Sequence, residues 1–267
     1  MWKYAFLTSY VGSAYCGWQR QNGFPSVQET LEKALARITG ETPSVVGSGR
    51  TDSGVHAVGQ VGHFVLRIKE WDSQILLRAL NGLLPSDIQV LSLQSVLIDF
   101  HAQRSAIKKQ YSYYFQQGPA AIPCLEPYSW WIRKQLDLGA MSQGLSYLLG
   151  EHDFKPFQAS GSKPGPTIRK IIEADVTFEN PGGFLQIHQT GLVRVRVVGS
   201  GFLKQMVRGI TGTLLQVGEG RRPPECFREI LASQNRGEVG PTAPARALWL
   251  EKLWYPASFQ LAWQVEP

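Results

Sequence analysis

Cysteine is scarce in this 267-residue chain: Cys16, Cys124 and Cys226 are odd in number and far apart. No Cys-x-x-Cys occurs, which excludes a zinc knuckle and a disulfide framework as organising devices. No apolar run approaches the roughly 20 residues that a membrane-spanning helix requires. Residues 1–10 carry none long enough for a signal peptide. The expectation is a reduced, cytoplasmic protein. Charge is sparse as well, at 18%, and its balance is basic, with 27 Lys and Arg against 21 Asp and Glu for a net +6. That sign favours a polyanionic partner, nucleic acid before membrane. Against these scarcities, the hydrophobic content of 43% is that of a chain that buries a core. Its length suits one large domain or two of ordinary size.

Residues 3–10, rich in aromatic and β-forming side chains, predict a strand. Ser26 followed by Glu29 forms a capping box, Val27, Leu31, Leu35 and Ile38 make an apolar stripe, and Gly40 supplies a stop, so a helix follows. Asp72 heads a second helix, with Ile75, Leu76, Ala79 and Leu80 on its apolar side and Gly82 and Pro85 at its end. With strands at 43–46, 58–66 and 88–98, the order is β-α-β-β-α-β, the ferredoxin-like unit.

The second half repeats that rhythm with larger insertions. Strands are expected at 109–116, 168–178, 183–189, 192–198 and 247–254. Asp137 caps a helix that buries Leu138, Met141, Leu145, Leu148 and Leu149, a longer helix spans 202–217, and a short one spans 224–232. Between them lies a Pro-rich stretch with Trp130 and Trp131, which are read as packing residues. In Val193-Arg194-Val195-Arg196-Val197, alternation puts the valines on one face and the arginines on the other. That arginine row is either a phosphate-binding face or the wet side of an antiparallel sheet. The expected fold class is α+β: two tandem ferredoxin-like (βαββαβ) units forming a mixed, mainly antiparallel sheet with helices on one side and a catalytic cleft between the halves. Their expected bounds are 1–105 and 106–267.

Residues 47–57 read Gly-Ser-Gly-Arg-Thr-Asp-Ser-Gly-Val-His-Ala and separate two β-favouring runs. A plain hairpin needs only two to five turn residues, so a loop this dense in polar side chains points to a site. Gly49-x4-Gly54 has Walker spacing, but Val55-His56 stands where Lys-Ser/Thr is required. Gly47-x-Gly49 lacks the third glycine of a dinucleotide fingerprint. Asp52, His56 and His63 lack the helical His spacing or Cys of a zinc site, and both histidines are read as hydrogen-bonding residues of loop and sheet. What remains is Asp52 with Arg50 two positions before it. The pair is either a structural ion pair or a nucleophile or general base kept ionised by a cation. No second carboxylate stands nearby, which argues against a two-carboxylate glycosidase.

Gly49-Arg50-Thr51-Asp52-Ser53-Gly54-Val55-His56-Ala57 resembles, over nine consecutive positions, the signature of the TruA family of tRNA pseudouridine synthases. Other blocks are similar to that family in order and kind: Phe100-His101-Ala102 before Lys109-x-Tyr111-x-Tyr113, Gly150-x-His152-Asp153-Phe154, Phe202-Leu203-x-x-Met206-Val207-Arg208, and Thr242-Ala243-Pro244-Ala245. The resemblance spans essentially the whole chain. It implies an isomerase that converts uridine to pseudouridine at positions 38 to 40 of the tRNA anticodon stem-loop, as a homodimer, without cofactor or metal.

By the same resemblance Asp52 is the catalytic aspartate and Tyr111 the tyrosine that packs against the target base. Arg208 is the arginine that pairs with the aspartate, and Arg50 contacts RNA. Arg104 and Lys109 complete the substrate side, Arg104 standing in for the family's arginine where this chain has Gln103. By helical period alone Arg208 falls opposite its helix's apolar stripe, a solvated position. Tyr113 and Phe115 share a strand face with Tyr111 and are read as core before base-stacking residues. A hairpin over 179–190 is longer than the minimal connection of the family. A non-catalytic tRNA-binding protein on the same scaffold is the alternative reading, and a hydrolytic nucleosidase a further one.

Overall fold

Trp2–Tyr10 (β1) forms a strand whose Tyr4, Phe6, Thr8 and Tyr10 are buried, and it is the centre of the first of two units in this computed structural model. Residues 1–179 and 191–264 are described. The first unit is Met1–Lys109 together with the chain from Trp249 onward; the second is Gln110–Leu248. The expected seam after residue 105 thus falls at Lys109, and the C-terminal segment departs from the expected 106–267 block.

In the first unit β1 leads to Val27–Thr39 (α1), Val46–Gly47 (β2), His56–Leu66 (β3), Ser73–Leu83 (α2) and Ile88–Ser95 (β4). β1 lies antiparallel between β3 and β4, and β2 is antiparallel to β3. The resulting order, β4-β1-β3-β2, is that of a ferredoxin-like sheet. The caps are where the residues predict them. Ser26 accepts from the Glu29 N–H, Gly40 ends α1 at φ 72°, and Asp72 accepts from the Ile75 N–H at 2.8 Å. α2 runs through Gly82, however, and stops at Leu84, whose extended backbone (ψ 145°) is what a following Pro85 demands. Ile75 faces outward, leaving Leu76 and Leu80 as the buried positions.

The strand expected over 43–46 is reduced to Val46–Gly47. Val45 N–H donates to Glu32 Oε1 and Val45 O accepts from Gln28 Nε2, both at 3.0 Å. Side chains of α1 thereby take the backbone bonds that a ladder would have supplied. β4 likewise ends at Ser95, short of the expected Ile98.

The second unit carries most of Lys108–Gln117 (β5), then Trp130–Ile132 (β6), Leu138–Ser146 (α3), Gly150–Asp153 (β7), Ile168–Glu179 (β8), Gly191–Gly199 (β9), Met206–Gly218 (α4) and Cys226–Ser233 (α5). Its strands run in the order β5-β9-β8-β7, with β6 parallel on β5. β6 and β7, three and four residues long, show no alternation from which a strand could be read. The expected strand 183–189, and nearly all of the 179–190 hairpin, lie outside the described residues.

On β9, Val193, Val195 and Val197 are fully buried. Arg194 pairs with Glu179 at 3.1 Å, and Arg196 with Glu173 at 2.9 Å and Asp175. Cross-strand carboxylates on β8 neutralise this row, which is what the wet-sheet alternative expects. α3 ends at Ser146, so Leu149 no longer follows its period and is exposed, while Leu148 is buried. α4 begins at Met206 rather than at 202 because Gln205 adopts a left-handed φ of 60°.

Leu248–Trp254 (β10) brings the chain back. Trp249 and Leu250 pair in parallel with His56 and Ala57 of β3, which is why the C-terminal segment joins the first unit. No helix among the described residues is long and apolar enough to cross a membrane.

Two predictions follow from this packing. A Cβ on Gly212 of α4 would lie 1.6 Å from the Pro241 carbonyl oxygen. Gly212→Ala gains about 1 kcal/mol of helix propensity, but the overlap forces Pro241 off the helix, and overpacking of this kind costs about 1–3 kcal/mol or more. A net loss is expected, read as a lower urea midpoint. The second concerns His63, which is buried in β3 with Nδ1 accepting from the Ala102 N–H at 3.1 Å. Burial first, then the charges of His101, Lys3 and Arg104, push its pKa from 6.5 down to about 4. Below 6.5 the unfolded chain binds a proton that the folded chain refuses until about 4, so stability falls as pH drops through that window. His63→Asn retains an acceptor but cannot titrate. Its unfolding free energy, measured by urea titration across the same window, should fall less steeply than that of the parent chain.

Candidate active site

The loop between β2 and β3 leaves the sheet at Gly47 and rejoins it at His56, and its backbone is fixed almost residue by residue. Ser48 N–H donates to Val61 O at 2.8 Å, and Ser48 O accepts from Lys109 Nζ at 2.6 Å. Gly49 O accepts from Gln60 Nε2 at 2.9 Å, and Thr51 O from the Trp18 N–H at 3.2 Å. The Asp52–Val55 turn is closed by Val55 N–H to Asp52 O at 3.1 Å, with Gly54 at φ 77° in the third position, where this turn needs a left-handed residue.

Residues 12–18 lie against this loop. Gly17, at φ 92°, passes so close that a Cβ there would sit 2.4 Å from Thr51 O. Gly12 N–H donates to His56 Nδ1 at 3.0 Å, and the His56 ring stacks on Trp249 at 4.4 Å. His56 and His63 are thus held in loop and sheet hydrogen bonds, as expected from the sequence.

Within this frame Thr51 is buried, Asp52 partly exposed and Ser53 exposed, so the carboxylate stands where the loop surfaces. Arg50 is exposed, and its Nε donates to Gln19 Oε1 at 3.0 Å. Lys109 reaches the same loop through Ser48. Its Nζ lies 3.0 Å from the point where a Cβ on Gly49 would be. Arg50, Asp52 and Lys109 are therefore gathered around one loop of the first unit. Arg104, exposed, belongs to the turn in which its N–H and that of Gln103 donate to His101 Nδ1.

Tyr111 and Arg208 lie in the second unit. Tyr111, on β5, is 8% exposed and meets the Phe202 ring edge-on at 5.2 Å. Tyr113 and Phe115 on the same strand are fully buried, Tyr113 donating to Pro244 O at 3.0 Å, and both are core. Trp130 packs against Phe115 at 5.7 Å. Arg208 is half-buried on α4, and its Nε donates to Ala243 O at 2.7 Å. Only Arg208 and Gln216 of that helix escape full burial, so the solvated face expected from helical period is covered.

Sequence reading missed three residues around the Asp52 loop: Tyr10, Gln19 and Gln60. Gln60 had a legible signal, the lone amide in a strand that is otherwise apolar but for His56 and His63. Tyr10, whose hydroxyl lies 2.8 Å from Thr51 Oγ1, had none.

The family model described as tRNA pseudouridine synthase matches residues 7–103 and 145–256, segments that contain the Asp52 loop and Arg208. "tRNA pseudouridine synthase A" of Maridesulfovibrio salexigens is 42% identical over 96% of this chain and 91% of its own length. The proteins of the same name from Chlamydia felis and Syntrophotalea carbinolica are 38% and 41% identical, covering 97% and 93% of this chain and 94% of each relative. Among solved structures, "Structure of H/ACA RNP bound to a substrate RNA containing 2'-deoxyuridine" aligns at 12% identity over 80% of this chain and 44% of that one, with a TM-score of 0.34 that is too low to carry an argument. Full-length identity at this level, on a chain whose signature loop is held so completely, leaves one assignment: the chain belongs to the tRNA pseudouridine synthase family.

Proposed function

We propose that this chain isomerises uridine to pseudouridine at positions 38 to 40 of the tRNA anticodon stem-loop, with Asp52 as the catalytic carboxylate. The observation that carries the reading is full-length membership of the family together with a loop that presents one carboxylate at its surfacing point. The reaction breaks the C1′–N1 bond, turns the uracil and rejoins it through C5. The proton on C5 leaves and N1 gains one, so no other group enters or departs. A single carboxylate acting on the sugar or the base suffices for this balance. Basic charge on the chain, +6 overall, suits the polyanionic substrate.

A stacked base must be turned out before Asp52 can reach it, which costs a few kcal/mol. Tyr111, already held edge-on by Phe202, is assigned to pack against the extruded base. Arg208 is assigned to counter the charge of the carboxylate. Arg50 and Arg104, both exposed, carry positive charge toward the RNA backbone, and Lys109 adds its own from the foot of the loop. The working form is taken to be a cytoplasmic homodimer, as the family resemblance implies.

Unmodified tRNA tritiated at uridine C5 tests this. The parent chain should release tritium, and Asp52→Ala should lose about 10²- to 10⁴-fold in rate, the scale on which a positioned acid or base contributes. No release by the parent would leave only a tRNA-binding protein, and unchanged release by the variant would remove Asp52 from the chemistry. Asp52→Ala should still bind tRNA, with an affinity that falls steeply as salt rises, because phosphate contacts dominate such binding.

A further inference from the structure

Gln60 is a fully buried carboxamide in the middle of β3, and both ends of its side chain bond to the loop that carries Asp52. Its Oε1 accepts from Ser48 Oγ, and its Nε2 donates to Gly49 O at 2.9 Å. The Tyr10 hydroxyl, itself buried beside the Gln60 amide, lies 2.8 Å from Thr51 Oγ1. One amide thus fixes residues 48 and 49 directly, and the neighbouring tyrosine holds residue 51. Residue 50, the remaining one before Asp52, is the exposed Arg50 that turns to Gln19.

We propose that Gln60 is a positioning residue for the isomerisation, holding the backbone from which Asp52 is presented and touching no RNA itself. The proposal rests on the reading of Asp52 as the reacting group. The choice of an amide follows from the two partners. Gly49 O needs a donor and Ser48 Oγ an acceptor at one buried point, and only a carboxamide of this length offers both there. A carboxylate could not donate to Gly49 O, and an apolar side chain would leave both partners unsatisfied in a dry site. The loop then has to move to recover bonds. Movement by about 1 Å at a reacting group is enough to cost 10²-fold in rate.

Gln60→Leu in the full chain tests the idea, with tritium release, the KM for tRNA and amide exchange measured together. The expected result is a kcat lower by about 10- to 100-fold, an essentially unchanged KM, and faster exchange confined to the amides of residues 48–55. Asn81→Ala is the control. It removes two hydrogen bonds to Val90, at 2.8 and 2.9 Å, in the same unit but away from the loop, and should lower the melting temperature without lowering kcat. Tyr10→Phe is a milder change in the same network. It should shift kcat and loop exchange in the same direction, and it decides the matter if Gln60→Leu does not fold. Full kcat in Gln60→Leu and Tyr10→Phe, a loss in KM alone, or unchanged exchange at 48–55 would overturn the role of Gln60 while leaving the proposed activity standing. A parent chain that releases no tritium would overturn both.

Discussion

A loop that leaves a sheet and still has to be rigid must find a partner for every backbone group it buries, and that requirement shapes the whole first unit. Strand ladders satisfy their own groups in register, but past Ser48, whose N–H still reaches Val61 O, residues 49–55 lie outside any strand. The loop's carbonyls are met instead by Lys109 Nζ, Gln60 Nε2, the Trp18 N–H and the Val55 N–H. Each donor comes from a different place in the chain. The loop therefore forms only when β3, the start of β5 and residues 12–18 are all assembled, so its geometry is a readout of the complete unit.

Close approach follows from the same need. Trp18 N–H can reach Thr51 O only if the chain at Gly17 passes within van der Waals distance of the loop, and a Cβ there would collide with that same oxygen. The left-handed φ at Gly17 makes this a position for glycine on two independent grounds. Gly12 repeats the logic at the other end, where a Cβ would lie 2.1 Å from Val55 O while its N–H serves His56. What composition displays as a glycine-rich region is a set of backbone contacts for which side chains leave no room.

Local signals were legible wherever the physics was local. The Ser26 and Asp72 caps, the apolar positions of α1 and the alternation of β9 each follow from residues a few places apart, and each was readable. The ferredoxin-like order of the first unit followed from them. What could not be read depends on residues distant in sequence. Val45 forgoes a ladder because Glu32 and Gln28, on a helix, satisfy its backbone. β10 returns to β3 across nearly the whole chain. Gln205 breaks the helical pattern of 202–217 through a backbone conformation that no propensity assigns to glutamine. Around the Asp52 loop, the motif residues were legible by resemblance and Gln60 stood out as a lone amide, whereas Tyr10 acts through a buried contact that a linear pattern does not display.

Arg208 shows how an arginine on a helix becomes a directed group rather than a solvated one. Arg208 O accepts from the Ala243 N–H at 3.1 Å, and Arg208 Nε donates to Ala243 O at 2.7 Å, so one distant residue is bonded to both its backbone and its side chain. The same segment is tied down on either side, with Gly240 N–H on Thr213 Oγ1 and Pro244 O on the Tyr113 hydroxyl. A guanidinium is a planar fork, and fixing one nitrogen against a fixed carbonyl restricts both its plane and its reach. Residues 240–244 thus hold α4 and aim its arginine at once. This accounts physically for a Thr-Ala-Pro-Ala stretch whose own side chains offer almost no chemistry: what it contributes is main chain, delivered to one place.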